Sequence, residues 1–367
     1  LLPQNCTVLK KNAYFNREHN NKENDVLVIV ADDLTGALDA AAPFAARGLR
    51  TEVVLKISAI AQGMALAPDV LSVNLASREL APQQAFLLMQ QVIKLLPVGV
   101  RLFKKIDSRL KGHIASELDA ISYRRALVAP AIPSFKRVVR HGSIEGFGVT
   151  KPISIADVLG KHAARAIIPD ALRDDDLLRA LDTAEASNVD LLVGARGLAE
   201  ALACRMTERA DARLVAPPVG AGLFVIGSHD QITMQQVEEL RRLKMVSFNP
   251  APNGVIAVSA PGSAPMVLVQ ATAGETQIPS EIVSENLARS VHPRFTSKAQ
   301  TMLLCGGATA EAVLNHMGIE RFRLEGECMP GLGLAHAEGQ CIIAKSGGFG
   351  QPDTLAKLAE RLHGGRG

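Results

Sequence analysis

Two acids stand side by side at the end of an apolar run. VLVIVA (26–31) leads into Asp32 and Asp33, and LTGALDAAAPFA follows with a helical pattern. Adjacent carboxylates repel, and burying both is costly without cationic partners. At a strand end, one acid can hold a substrate hydroxyl or a metal while the other takes a proton. The same two residues would also serve as helix caps, a common place for aspartate. Thr35 can cap the following helix. Gly36 would let a ligand approach the helix N-terminus, where anions are favoured.

A second cluster lies in FKKIDSRLKGHIASEL (103–118). Lys104 and Lys105 run up to Asp107 and Ser108, and Arg109, Lys111 and Gly112 follow before a helix. Cations gathered at a strand end can bind a carboxylate or phosphate, and Asp107 can accept bonds from sugar hydroxyls. A solvated basic patch is the plainer reading. Arg78, in NLASREL, ends a third apolar run and is a candidate carboxylate clamp.

The second half carries glycine-rich turns near strand ends: GSHD (227–230), CGGATAEAVL (305–314) and KSGGFG (345–350). GGAT opens onto a helix, so its backbone N–H groups could cradle phosphates. Each turn alone reads as an ordinary tight turn; their convergence in one domain points to a nucleotide. There is no G-x-x-x-x-G-K-[ST], and no G-x-G-x-x-G follows a strand with an acid about 20 residues on. Ser108 and Ser228 lack a G-x-S-x-G elbow. His113, His229 and His316 lack metal-ligand spacing, so no metal ligand is assigned.

The elements needed to position these residues follow from apolar runs alternating with amphipathic segments. Candidate strands are 26–31, 51–57, 69–75, 100–106, 126–131 and 190–195, with helical patterns over 82–96 and 174–184 between them. The Pro/Gly-rich VAPPVGAG (215–222) separates a further set: strands at 223–228, 254–259, 265–271 and 301–307, a helix over 231–243, and the closing CIIAKSGGFG. Continuous apolar strands separated by helices predict an α/β fold of two domains, each with a mostly parallel sheet flanked by helices. The expected division is a mobile leader over 1–24, one domain over 25–219 and a second over 220–367.

Composition narrows the function. The chain has 367 residues, 47% of them apolar and 21% charged, with a formal net charge of +3, which fits a soluble globular protein. Aromatics are 4% and there is no Trp, so a nucleic-acid partner is not expected. No apolar run reaches the roughly 18–20 residues of a membrane span. Cys6, Cys204, Cys305, Cys328 and Cys341 are scattered without C-x-x-C spacing, as in a cytoplasmic protein with reduced thiols. Homo-oligomerisation is compatible with the sequence and is not specified by it.

Taken together the motifs resemble the four-carbon acid sugar kinases, from about residue 25 to the end. ADDLTGALD is similar to that family's opening signature and KKIDSRLKG to its K-x-D-S-x-x-R-G segment. Gly227, Ser228, Thr233 and Gln236 match its GS…T-x-x-Q, and GGAT and KSGGFG resemble its nucleotide turns. The resemblance implies phosphorylation of the 4-hydroxyl of threonate, erythronate or a 3-oxo-tetronate, with ATP and Mg²⁺, in an interdomain cleft. It implies that Asp32, Asp33, Thr35, Gly36, Arg78, Lys105, Asp107, Ser108 and Lys111 face the sugar acid, with Asp33 or Asp32 as the catalytic carboxylate. Ser228, Gly306, Gly307, Ala308, Thr309, Gly347, Gly348 and Gly350 would face the nucleotide. Lys111 replaces the family's usual Arg and Ala308 its frequent acid, and the segment before KPISIADVL (151–159) is short. Two other classes remain open: a sugar-acid-binding protein without ATP chemistry, and a nicotinamide-dependent oxidoreductase.

Overall fold

The computed structural model describes residues 26–257 and 264–364. The expected leader (1–24) and the end of the expected strand at 254–259 lie outside the described residues. The chain forms two compact units that divide between Arg213 and Leu214.

The first unit contains β1 (Leu27–Ala31), β2 (Thr51–Val54), β3 (Val70–Asn74), β4 (Arg101–Lys105), β5 (Ala126–Ala129), β6 (Arg137–Arg140), β7 (Ser143–Gly146), β8 (Ile153–Ser154), β9 (Ala166–Ile167) and β10 (Leu191–Gly194). Its helices are α1 (Leu34–Ala45), α2 (Ile60–Ala65), α3 (Pro82–Leu95), α4 (Ile114–Asp119), α5 (Ile155–Leu159), α6 (Asp174–Ala186) and α7 (Arg196–Thr207). The parallel sheet runs β2-β3-β1-β4-β10-β5-β9. Every residue of β1 and β3 is buried, as the continuous apolar run of β1 and the mostly apolar VLSVN of β3 require. Helix signals act where expected: Asp33 caps α1, Pro82 opens α3, and three aspartates occupy the first turn of α6. The short segment over 143–150 falls in an antiparallel β6-β7-β8 sheet that the sequence reading did not include.

The second unit contains β11 (Gly222–Ile226), β12 (Val246–Pro252), β13 (Met266–Thr272), β14 (Thr301–Cys305), β15 (Arg321–Met329), β16 (Leu332–Ala337) and β17 (Gln340–Lys345). Its helices are α8 (Gln231–Arg241), α9 (Ser280–Val291), α10 (Gly307–His316) and α11 (Thr354–Leu362). β12-β13-β11-β14-β17 are parallel, and β16 and β15 continue antiparallel. Phe224, Ile226, Leu268, Leu303, Ile343 and Leu355 are buried in its core.

One expectation is corrected here. Residues 254–257 form a turn and an unpaired stretch, not a strand. The strand lies just before, at β12, despite Pro250 and Pro252. β12 is paired only with β13 among the described residues, so the missing proline N–H groups cost no ladder bond on that side.

In both sheets the strand order reverses beside the first strand of the unit. β1 lies between β3 and β4, and β11 between β13 and β14. Chain leaving neighbouring strand ends at such a point diverges and leaves a crevice, the usual ligand position in open α/β sheets.

Candidate functional site

In the first unit the crevice is ionic. Asp32 follows β1, Arg78 follows β3 and Lys105 ends β4. Arg78 binds both acids at once: Nε and Nη2 donate to Asp32 Oδ2 and Oδ1 at 2.7 and 2.9 Å, and Nη1 donates to Asp33 Oδ2 at 2.5 Å. This is how two adjacent carboxylates are tolerated. Burial would raise the Asp32 pKa, but the Arg78 hydrogen bonds and the charges of Lys104, Arg78 and Lys105 hold it below the usual value. Arg78 is correspondingly held above its own usual value.

Asp33 is the N-cap of α1. Its Oδ1 accepts Gly36 N–H at 2.6 Å and its Oδ2 accepts the Thr35 hydroxyl at 2.9 Å. Thr35 is therefore not the cap, and the Gly36 N–H is already used. The glycine at 36 serves close approach instead, since a methyl there would lie 2.7 Å from Asp33 Oδ1 and 3.1 Å from Lys105 Nζ. Gly112 does the same for Asp32: its φ is +90°, and a methyl would lie 2.7 Å from Asp32 Oδ2.

The paired lysines separate. Lys104 is fully buried and bonds Glu117 at 2.8 Å, with Ser77 Oγ donating to the other Glu117 oxygen at 2.5 Å. It is therefore a structural cation, contrary to its grouping with the anion-binding residues. Lys105, also buried, approaches Asp33 and Gly36. Asp107 Oδ1 accepts the Arg109 and Lys111 N–H groups at 2.8 and 3.4 Å and so shapes its own loop. The Lys111 side chain is exposed. Ser108 Oγ accepts from Arg137 Nη1 at 2.5 Å. Arg78 also departs from expectation: three of its donors are committed to protein carboxylates, not available to a substrate carboxylate. Arg137 was missed by the sequence reading; its only signal was a cation just after the Pro-containing turn AIPSF.

In the second unit the crevice is glycine-lined and carries the Asp230 carboxylate. The turns after β11, β14 and β17 meet because these strands are adjacent and parallel. A methyl at Gly347 would lie 2.2 Å from Ser228 Oγ, and one at Gly306 would lie 3.4 Å from Ser228 N. Gly307, Ala308 and Thr309 form the first turn of α10, with Ala308 exposed and Thr309 buried. Gly348 faces Asp230, whose Oδ1 caps α8 through Ile232 N–H at 2.9 Å. Gly350 is the exception among the expected residues. It packs against Gln236 and Thr354, away from Ser228.

Behind these turns sits Lys345, fully buried. Its ammonium donates to the carbonyls of Ser346 and Gly347 at 3.0 and 3.3 Å and to Thr233 Oγ1 at 3.3 Å. Thr233 in turn donates to Gly347 O at 2.7 Å, and Gln236 Nε2 holds the carbonyls of Phe349 and Gln351. Burial pulls the Lys345 pKa down, against the opposing effects of Cys305 and Asp230. This arrangement fixes the carbonyls of the glycine turn inward. Among the described residues no group of three or more His, Cys, Asp or Glu could hold a metal.

The close contact of Gly227 gives a direct test. A methyl there would lie 1.8 Å from Thr309 Oγ1. Gly227→Ala is expected to cost about 1–3 kcal/mol through displacement of α10 from β11. Thermal unfolding at the wild-type temperature would contradict this packing.

The first crevice and the turns after β14 and β17 fall in regions that match known families, whereas the turn after β11 (227–230) lies outside them. Residues 27–152 match the family described as "Sugar-binding N-terminal domain", and residues 254–355 match "Nucleotide-binding C-terminal domain". The chain is 27% identical to a D-threonate kinase of Cupriavidus necator, over 89% of this chain and 96% of that one. It is 28% identical to a D-threonate kinase of Bordetella bronchiseptica (91% and 96% covered) and 26% identical to a 3-oxo-tetronate kinase of Methylobacterium radiotolerans (91% and 98% covered). The solved structure of Haemophilus influenzae protein HI1011 shares the fold, with a TM-score of 0.66 and 17% identity over 91% of this chain and 100% of that one. Among the described residues no helix is long and apolar enough to cross a membrane.

Proposed function

The chain belongs to the four-carbon acid sugar kinase family, and we propose that it is an ATP-dependent sugar-acid kinase acting on the 4-hydroxyl of a tetronate. The observation that carries this reading is chemical asymmetry between two crevices of like topology. One is lined by paired carboxylates and cations, suited to a hydroxylated acid. The other is lined by glycine turns and helix N-termini, suited to phosphates.

The acceptor hydroxyl attacks the γ-phosphorus of ATP. A new O–P bond forms, the bond to the β-phosphate oxygen breaks, ADP leaves, and the hydroxyl proton passes to a carboxylate. Asp33 suits that role better than Asp32. Asp32 is more deeply buried, is held in a two-point pair with Arg78, and has a lowered pKa, which makes it a poor proton acceptor. Asp32 acts by holding Arg78, and Arg78 orients Asp33. Lys105, beside Asp33, offsets negative charge as the nucleotide approaches.

Phosphates are received by the N–H groups of Gly307 and Gly347 and by Ser228, the Gly306 N–H being donated to Lys345 O. Mg²⁺ is typically held by one or two carboxylates plus substrate phosphates. Asp230 fits that need, because one oxygen caps α8 and the other faces the glycine turn. When bound, the ion would neutralise phosphate charge.

The test is ADP release with Mg²⁺-ATP and a panel of D- and L-threonate, D- and L-erythronate and 3-oxo-tetronates. Turnover on one of them is expected. Binding of a tetronate with no ADP formed would replace this reading with that of a sugar-acid-binding protein.

A further inference from the structure

The committed state of Arg78 leaves open which group recognises the carboxylate of the acceptor. A different pair of guanidinium groups meets that need. Arg137, at the start of β6, is 9% exposed. Its Nε and Nη2 donate to Phe147 O at 3.0 and 2.9 Å, and its Nη1 donates to Ser108 Oγ. Those three bonds leave two of its five N–H groups without a partner among the described residues. Among the described residues no carboxylate forms a salt bridge with it.

Arg109 shares the place. A methyl built on Gly148 would lie 3.1 Å from Arg137 Nη2, 3.9 Å from Arg109 Cδ and 4.0 Å from Arg109 Nη1. The two guanidinium groups therefore flank one glycine, in the loop after β7. Burial, and then the charge of Arg109, push the Arg137 pKa down, while Asp107 opposes them. Asp107 acts on Arg137 through its charge without forming a salt bridge to it, and its Oδ1 accepts backbone N–H groups of its own loop. Two like charges this close, one of them buried, repel, and an anion between them would relieve that cost. Ser108 accepts from Arg137, so its own hydroxyl hydrogen is free to donate. Planar guanidinium forks are matched to the two oxygens of a carboxylate.

We infer that Arg137, Arg109 and Ser108 form a carboxylate subsite that selects an acid over the corresponding neutral polyol. The loop 107–112 links it to the hydroxyl end of the crevice: Ser108 lies in the subsite, and Gly112 abuts Asp32. The Arg78 and Arg137 guanidinium groups both feel the charge of Asp107. The inference rests on the sugar-acid reading above and assigns which end of the substrate goes where.

Calorimetry without ATP tests it, using the tetronate that supports turnover and the four-carbon tetritol lacking a charge. Wild type is expected to bind the tetronate and to discriminate against the tetritol. Arg137→Gln is expected to lose about 10- to 100-fold in tetronate affinity, with tetritol and ATP affinities unchanged. Arg109→Gln, at an exposed position where folding is not at stake, is expected to lose about tenfold. Arg137→Lys is expected to recover only part of the loss, because the fork is absent. Equal weakening toward tetronate and tetritol would assign Arg137 a merely structural role and overturn the inference. So would wild-type tetronate affinity in the Arg109 and Arg137 variants. A wild-type protein that binds no tetronate would instead overturn the sugar-acid reading, and the subsite with it.

Discussion

Arg78→Met is expected to destabilise the first unit by about 3 kcal/mol at neutral pH, and the loss is expected to shrink on acidification. Removing one partner of a buried ion pair typically costs about 3–5 kcal/mol, because the other charge remains buried. The lower end applies here, since Lys104 and Lys105 still act on Asp32. The pH dependence follows from the same pair. In wild type the folded pKa of Asp32 lies below its unfolded value of about 3.9. Its stabilisation is therefore present above that pH and is lost as the pH falls through the folded value. In the variant the Arg78 hydrogen bonds are gone and burial dominates, so the folded pKa is expected to rise. Protonation then relieves the cost as the pH falls toward the raised value. Denaturant unfolding followed by circular dichroism at pH 7 and about pH 4.5 measures both differences. A stability gap of equal size at the two pH values would show that Asp32 does not depend on Arg78.

That pairing shows where sequence reading reaches its limit. Asp32 and Asp33 are legible as a strand-end pair because VLVIVA is continuous and a helix pattern begins directly after them. The arginine that makes the pair tolerable lies 46 residues from Asp32. Only the β3-β1-β4 strand order brings it there, and several orders fit the same apolar runs. Lys104 and Lys105 are a different case, because the information was present. Successive side chains in a strand point to opposite faces, so a strand-end pair of lysines must divide. One goes to Glu117 and the other to the α1 N-terminus. Arg137 was hidden by topology, since it stands on a small antiparallel sheet with short strands and little alternation. The turns of the second unit were legible because glycine clusters after apolar runs are strong local signals. Gly350 was not separable from them, since a packing glycine and a ligand-facing glycine look alike in a sequence.

Asp33→Asn is expected to lower kcat by about 10²- to 10⁴-fold, the usual contribution of a positioned general base. The substitution is mild in structure. Asparagine is as good an N-cap as aspartate, so the bond from Gly36 N–H can persist. Thr35 and Arg78 both donate to Asp33 Oδ2, and an amide nitrogen there accepts neither. About 1–2 kcal/mol of stability is expected to be lost, too little to unfold a domain of ordinary stability. The acceptor hydroxyl would still bind but would have no carboxylate to take its proton. The glycine turns, Ser228 and Lys345 all lie in the second unit, so affinity for ATP measured by calorimetry is expected to stay within about twofold. An Asp32→Asn protein separates the two acids. Its expected defect is stability, through the weakened hold on Arg78, with a smaller fall in kcat per folded molecule. If Asp33→Asn instead turned over near the wild-type rate while Asp32→Asn was inactive but folded, the base would be Asp32. The depressed pKa of Asp32 argues against that outcome, because a carboxylate stabilised as the anion by a guanidinium fork is a weaker base.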